Sequence, residues 1–124
     1  MDVIGKYAWA IAEGYIPPDD PHKARELISH EAACILNAGN SDAHIKITLY
    51  FRDRDEVGPY CVTVPARRTL HLRFNVLTDP APVPRDTAYS SVFVSDQPVV
   101  IQHTRLDTRP GPKGLLSTIA YPVS

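Results

Sequence analysis

The clearest pattern in the chain is an alternation. Between residues 44 and 51, Ile45, Ile47, Leu49 and Phe51 are separated by His44, Lys46, Thr48 and Tyr50. Successive side chains on a strand point to opposite faces, so this period of two predicts a half-buried strand. Leu70, Leu72 and Phe74 alternate with Thr69, His71 and Arg73 in the same way. Residues 31–36, 60–64, 92–94, 99–106 and 115–121 are short apolar or β-branched runs and predict further strands. Residues 7–16 fit a strand or a helix, and the strand is favoured because Tyr7, Trp9 and Ile11 alternate with alanines. The turn-forming stretch 37–42 leads to the expectation that 31–36 and 44–51 pair as a hairpin. Residues 60–64 are the expected neighbour of the strand around Leu70.

Eight of the 12 prolines punctuate this pattern in clusters, at 17, 18 and 21, at 80, 82 and 84, and at 110 and 112. Proline fixes φ and lacks the N–H that a ladder or a helix needs, so the clusters mark connections. About eight short strands between such turns predict an all-β fold, a single-domain antiparallel β-sandwich or jelly-roll-like domain over residues 1–124. Only residues 21–29 have helical character. The proline-rich loop 75–86 is long, but the strands flanking it are expected to share one core.

Composition narrows the class without changing it. The chain has 124 residues, 44% hydrophobic and 22% charged, with a formal net charge of −1. That is the profile of an ordinary globular domain. It carries no concentrated positive charge of the kind that nucleic-acid or membrane-surface binding needs. No apolar run approaches the roughly 20 residues of a membrane span, and the first residues lack the basic and apolar regions of a signal peptide. A cytosolic location is expected. Cys34 and Cys61 form no C-x-x-C pair and are expected to be reduced, small core-type residues.

No phosphate loop, H-E-x-x-H, G-x-S-x-G or cysteine-based zinc spacing occurs, and no two carboxylates stand out as an acid–base couple. What remains is polar chemistry on strands. Thr69, His71 and Arg73 share one face, with Arg67 in the same parity, and His103 and Arg105 share another. Guanidinium beside imidazole can bind carboxylates, phosphates or sugar hydroxyls through forked hydrogen bonds. Against this stands the simpler reading of a solvated strand face or a subunit interface. Trp9 could stack on a sugar ring or nucleobase, or anchor the core. Glu13 could accept hydrogen bonds from ligand hydroxyls or pair with an arginine. His30, Glu31, His71 and His103 could meet as a metal site, although their spacing is not diagnostic.

The strings themselves resemble a known family. They include WAIAEGYIPP at 9–18, ISHE at 28–31, CILNAG at 34–39, VGPY at 57–60, VPARRT at 64–69, RFN at 73–75, DPAP at 79–82, QHTRLD at 102–107 and LLSTIAY at 115–121. Over residues 9–121 the chain is similar to the sensory rhodopsin transducer family, least so at 19–27 and 109–114. The resemblance implies a β-sandwich protomer, a homotetramer, a cytosolic location and a role downstream of a membrane rhodopsin where one is present. For relatives without a rhodopsin it implies a sensor of sugar-like small molecules. It also implies some contact with DNA, for which the near-neutral charge of this chain predicts only weak affinity.

The expectation is therefore a signal-transducing binding module and not an enzyme, with no cofactor. Its ligand site is expected to be lined by Trp9, Glu13, His30, Glu31, Arg67, His71, Arg73, His103 and Arg105. The alternatives are a metal-assisted enzyme using His30, Glu31, His71 and His103, and a DNA-binding regulator using Arg67, Arg68 and Arg73.

Overall fold

A computed structural model describes residues 3–18, 29–107 and 114–124. The helical reading of 21–29 lies, except for Ser29, outside these residues. Eight strands follow in order: β1 Lys6–Tyr15, β2 His30–Asn37, β3 Ala43–Tyr50, β4 Val57–Val64, β5 Arg68–Arg73, β6 Ala88–Asp107, β7 Gly114–Ile119 and β8 Tyr121–Pro122. A 3-10 turn, Phe74–Val76, follows β5. All pairings are antiparallel.

The fold is organised by β6, 20 residues long. Its first arm lies between β3 and β1, and its second arm between β2 and β7. The runs 92–94 and 99–106, read above as separate strands, are parts of this one strand. Between its arms the ladder breaks: two steps along β1, from Lys6 to Ala8, match five along β6, from Val99 to Val94. The surplus residues, with Pro98 among them, form a corner. Gly5, at φ 112°, meets this corner so closely that a Cβ would lie 2.5 Å from the Val99 carbonyl oxygen.

The corner folds the sheet over on itself. Tyr15 pairs with Ala88, and its backbone N–H reaches Glu31, which pairs with Arg105. A straight strand from residue 88 to 105 would span about 55 Å, so the two ends of β6 can meet through these neighbours only because the arms face each other. Between them lies one core in which Ile35, Leu72 and Ile101 join Trp9, Ile45, Ile47, Tyr60 and Phe93. Phe74 crosses it, 6.2 Å from the Phe93 ring and 5.6 Å from Tyr89. The loop after β5 belongs to the same core through Val83.

Two expected pairings are corrected. β2 pairs with β5 and β6, not with β3, and β4 pairs with β3, not with β5. The connections that looked like hairpin turns instead carry the chain from one arm of the fold to the other. Asn37, fully buried, holds the first crossing: its side-chain amide donates to the carbonyls of Ser41, Val64 and Pro65 and its Oδ1 accepts from the Gly39 N–H. The second crossing, at residues 65–67, docks on the first. The Arg67 N–H donates to Gly39 and the Ala66 N–H to Asp42. Neither cysteine is a core residue. Cys61 is exposed, Cys34 is half-buried on the outward side of β2, and both are free thiols.

Candidate functional site

The facing ends of β2 and β6 build a buried polar cluster. Odd-numbered residues of β2 point inward, so Glu31 follows the core parity of Ala33 and Ile35 and is completely buried. Opposite them on β6, His103 and Arg105 continue the inward row of Val99 and Ile101. A buried carboxylate needs hydrogen bonds and a counter-charge to be tolerated, and Glu31 has both. Its Oε2 accepts from Arg105 Nε at 2.8 Å and from the Tyr15 backbone N–H at 2.9 Å, and its Oε1 accepts from His103 Nε2. The Arg105 guanidinium also lies over the Tyr15 ring, 5.9 Å from its centroid. Asn75 fixes the entry to β2 by accepting from the Glu31 N–H at 3.3 Å and donating to the Ser29 carbonyl at 3.2 Å.

The cluster is not closed. Among the described residues, Arg105 Nη2 and the hydroxyls of Tyr89 and Ser91 are buried without a hydrogen-bond partner. Burial pushes the Tyr89 hydroxyl pKa up; the nearby Glu31 charge adds to the shift and Arg105 opposes it, so Tyr89 stays a neutral phenol. His103 and Arg105 also form one wall of a cavity of about 290 Å³. Its other walls are Ala10–Glu13 of β1 and Leu116, Thr118 and Tyr121 at the C-terminal strands. On the other side of the Ala12–Glu13 segment lies a second hollow of about 280 Å³, lined by Phe51, Arg52 and Tyr89.

A bulge in β1 separates the two hollows. Ile11 pairs with Ser91 and Gly14 with Tyr89, so β1 holds one residue more than its partner. Trp9 and Ile11 point inward, and strict alternation would send residue 13 after them. The bulge turns Glu13 out instead, 81% exposed, with Oε1 3.9 Å from Arg105 Nη1. Gly14 takes the inward place because the Tyr89 ring fills it; a Cβ there would come within 2.5 Å of that ring.

The nine candidate residues fall into separate groups. Glu13, Glu31, His103 and Arg105 come together at the cavity. Trp9 lies in the core, 4% exposed, and its indole N–H donates to the Val99 carbonyl at 2.9 Å and the Lys6 carbonyl at 3.1 Å. His30 and His71 lie on the far side of the β2–β5 ladder with their rings 6.2 Å apart, and His71 Nδ1 is 3.1 Å from Cys34 Sγ. Arg73 shares that face by register. Arg67 sits in the crossing before β5, exposed, at φ 58°. The proposed metal ligands are thus divided between the two faces of the ladder, Glu31 and His103 on the inner one, His71 and the buried His30 on the other. Among the described residues no three His, Cys, Asp or Glu side chains are grouped to hold a metal. Arg67 and Arg68 stand at one end of β5 and Arg73 at the other, so within one protomer they are separated. The sequence reading missed Tyr15, Asn75 and Tyr89. Tyr15 stands two residues from Glu13, a clue of proximity; nothing in the sequence marked the other two.

A family model described as Anabaena sensory rhodopsin transducer matches residues 4–122, a span that includes the whole cluster. The chain belongs to this family. Among solved structures, an Anabaena sensory rhodopsin transducer is similar at 60% identity and a TM-score of 0.78, over 86% of this chain and 93% of that one. A crystal structure of Thermotoga maritima 1070 is similar at 36% identity and a TM-score of 0.82, over 96% of both chains. No match is found among curated proteins. No helix among the described residues of this transducer-family chain is long and apolar enough to cross a membrane.

Proposed function

We propose that the chain is a signal-transducing binding module that takes a small, sugar-like ligand in the cavity beside Arg105. One observation carries this reading: His103 and Arg105 of a buried, charged network line an open cavity instead of being closed over by apolar side chains, and among the described residues one buried guanidinium nitrogen has no partner. Unpaired buried donors in a folded protein mark places where a water or a ligand belongs. The cavity, at about 290 Å³, is near the lower end of the ligand-pocket range of about 300–1,000 Å³. Its mixture of aliphatic wall with Thr118, Tyr121, Glu13 and Arg105 suits a small polyol better than a flat hydrophobe.

The same network links β1, β2 and β6 through Glu31. A ligand that prefers one arrangement of these strands shifts the population toward it, and that shift is the signal. The receiving partner is a membrane rhodopsin where one is present, in keeping with the name of the 60% identical relative, and the acting form is a cytoplasmic homotetramer. The test is a thermal-shift screen over monosaccharides and related polyols. A genuine ligand at 100 times its Kd adds about 2.7 kcal/mol of stability, and Arg105→Met removes the effect. A flat response across a broad library counts against a ligand site.

A further inference from the structure

We propose that Glu13 sets the charge selectivity of this cavity, admitting uncharged and amino-bearing sugar-like ligands and rejecting those that carry a carboxylate. The inference rests on the sugar-like reading above and names the ligand class within it.

The argument is a count of charges and of what each one faces. Among the described residues that line the cavity, the acidic and basic side chains are Glu13, His103 and Arg105. The two basic ones are both turned toward Glu31, which stands behind the wall. Arg105 Nε donates to Glu31 Oε2 at 2.8 Å and His103 Nε2 meets Glu31 Oε1. Opposite charges in contact largely cancel at a distance, so the guanidinium offers the cavity donors but little net field. Among the described residues Glu13 has no such partner at hydrogen-bond distance; the nearest cation among them is Arg105 Nη1 at 3.9 Å, and the Glu13 side chain is 81% exposed. With His103 neutral, Glu13, Glu31 and Arg105 sum to one negative charge. With His103 protonated they sum to zero. In neither state do these described residues carry the net positive charge that would favour a carboxylate, and Glu13 repels one directly.

The strand geometry makes this a placed charge. The β1 bulge exists at this one point between the hollows, and it turns residue 13 from the inward row to the cavity wall. A carboxylate at the rim accepts from sugar hydroxyls and from an ammonium group alike. Rejection of the wrong ligand by a like charge is a common source of specificity, and the Coulomb energy of such a pair near a surface corresponds to about a tenfold change in affinity.

Calorimetric titration tests it. Glucose, galactose and mannose are each titrated as the neutral sugar, the 2-amino sugar and the uronate, against the wild-type protein and Glu13→Gln. The wild type is expected to bind the neutral or amino member of the recognised series at least about tenfold more tightly than the uronate. In Glu13→Gln the penalty on the uronate should shrink by about tenfold and any preference for the amine should vanish, with unchanged thermal unfolding of the unliganded protein. A uronate that binds the wild type as tightly as its neutral counterpart, or a ratio unchanged in Glu13→Gln, overturns the role of Glu13 and leaves the sugar-binding reading standing. Failure of all nine compounds to bind either protein removes the sugar-binding reading and this inference with it.

Discussion

On the inner face of the β2–β6 ladder, buried Glu31 bonds both His103 and Arg105 in a largely buried cluster; on the outer face of the same region, His71, Arg73 and Gln102 stand wholly or partly in solvent. The residue types on the two sides are nearly the same. What separates them is strand parity, because neighbours such as His30 and Glu31 must point to opposite faces. Position then changes the energetics. An exposed polar side chain keeps its water and contributes little, whereas a buried charge depends on every partner it has. Chemistry read from residue types alone merges these two sets.

The largest expected effect breaks the inner set. Glu31→Ala leaves Arg105 and His103 facing a void, and breaking a buried ion pair from one side costs about 3–5 kcal/mol. His71→Ala on the outer face should stay within about 0.5 kcal/mol. Denaturant midpoints of the two variants measure the contrast; equal midpoints would remove it. A sharper version replaces the whole cluster. The triple variant Glu31→Leu, His103→Leu, Arg105→Met should recover much of the stability lost in Glu31→Ala, since apolar groups of similar volume often substitute for buried ions without loss. It should also lose all ligand response in the thermal-shift screen. Full recovery of stability without binding would mean that the charges are kept for recognition and not for folding.

The next effect concerns the bulge that brings Glu13 to the cavity. Gly14→Ala drives a methyl group into the Tyr89 ring. Overpacking of a filled interior costs about 1–3 kcal/mol, so thermal unfolding should drop well below wild type while Ala12→Gly, at an exposed neighbouring position, changes less. If the two variants unfold together, Gly14 is not what seats the bulge.

This contrast also shows what the sequence made legible. Alternation at 44–51 and 69–74 marked β3 and β5 and told their buried from their exposed sides, because period two is a local property. Pairing is not local. The turn at 37–42 has the composition of a hairpin, yet its buried Asn37 satisfies carbonyls from the second crossing and sends the chain to the other arm. The corner in β6 was hidden for the same reason: 92–94 and 99–106 read as two runs, and only their pairing with neighbouring strands joins them into one. For the site, Glu13, Glu31, His103 and Arg105 were visible as chemistry-bearing types in family strings. Their separation from His30, His71 and Arg67 needed the fold, and Tyr89 is apolar core by every sequence criterion except its hydroxyl.

The smallest effect compares the buried carboxylate with an exposed one that also bonds to a histidine. Asp96, at the corner of β6, accepts from the His44 backbone N–H at 2.7 Å and meets its ring Nδ1 at 2.9 Å, with both side chains more than half exposed. The His44 backbone N–H, then its side chain, holds the Asp96 carboxyl below the ordinary value of 3.8. A carboxyl with a lowered folded-state pKa contributes stability that is present above its unfolded value and is lost as pH falls through the folded one. Asp96→Asn should therefore lower stability slightly at neutral pH, and the difference from wild type should fade as pH drops below 3.8. Because water competes for both partners, the loss should be far smaller than for Glu31→Ala. Paired urea titrations at pH 7 and pH 3 measure it. A loss at Asp96 approaching that at Glu31, or one that grows on acidification, would show that a carboxylate–histidine contact stabilises this fold irrespective of burial, and the distinction between its two faces would fail.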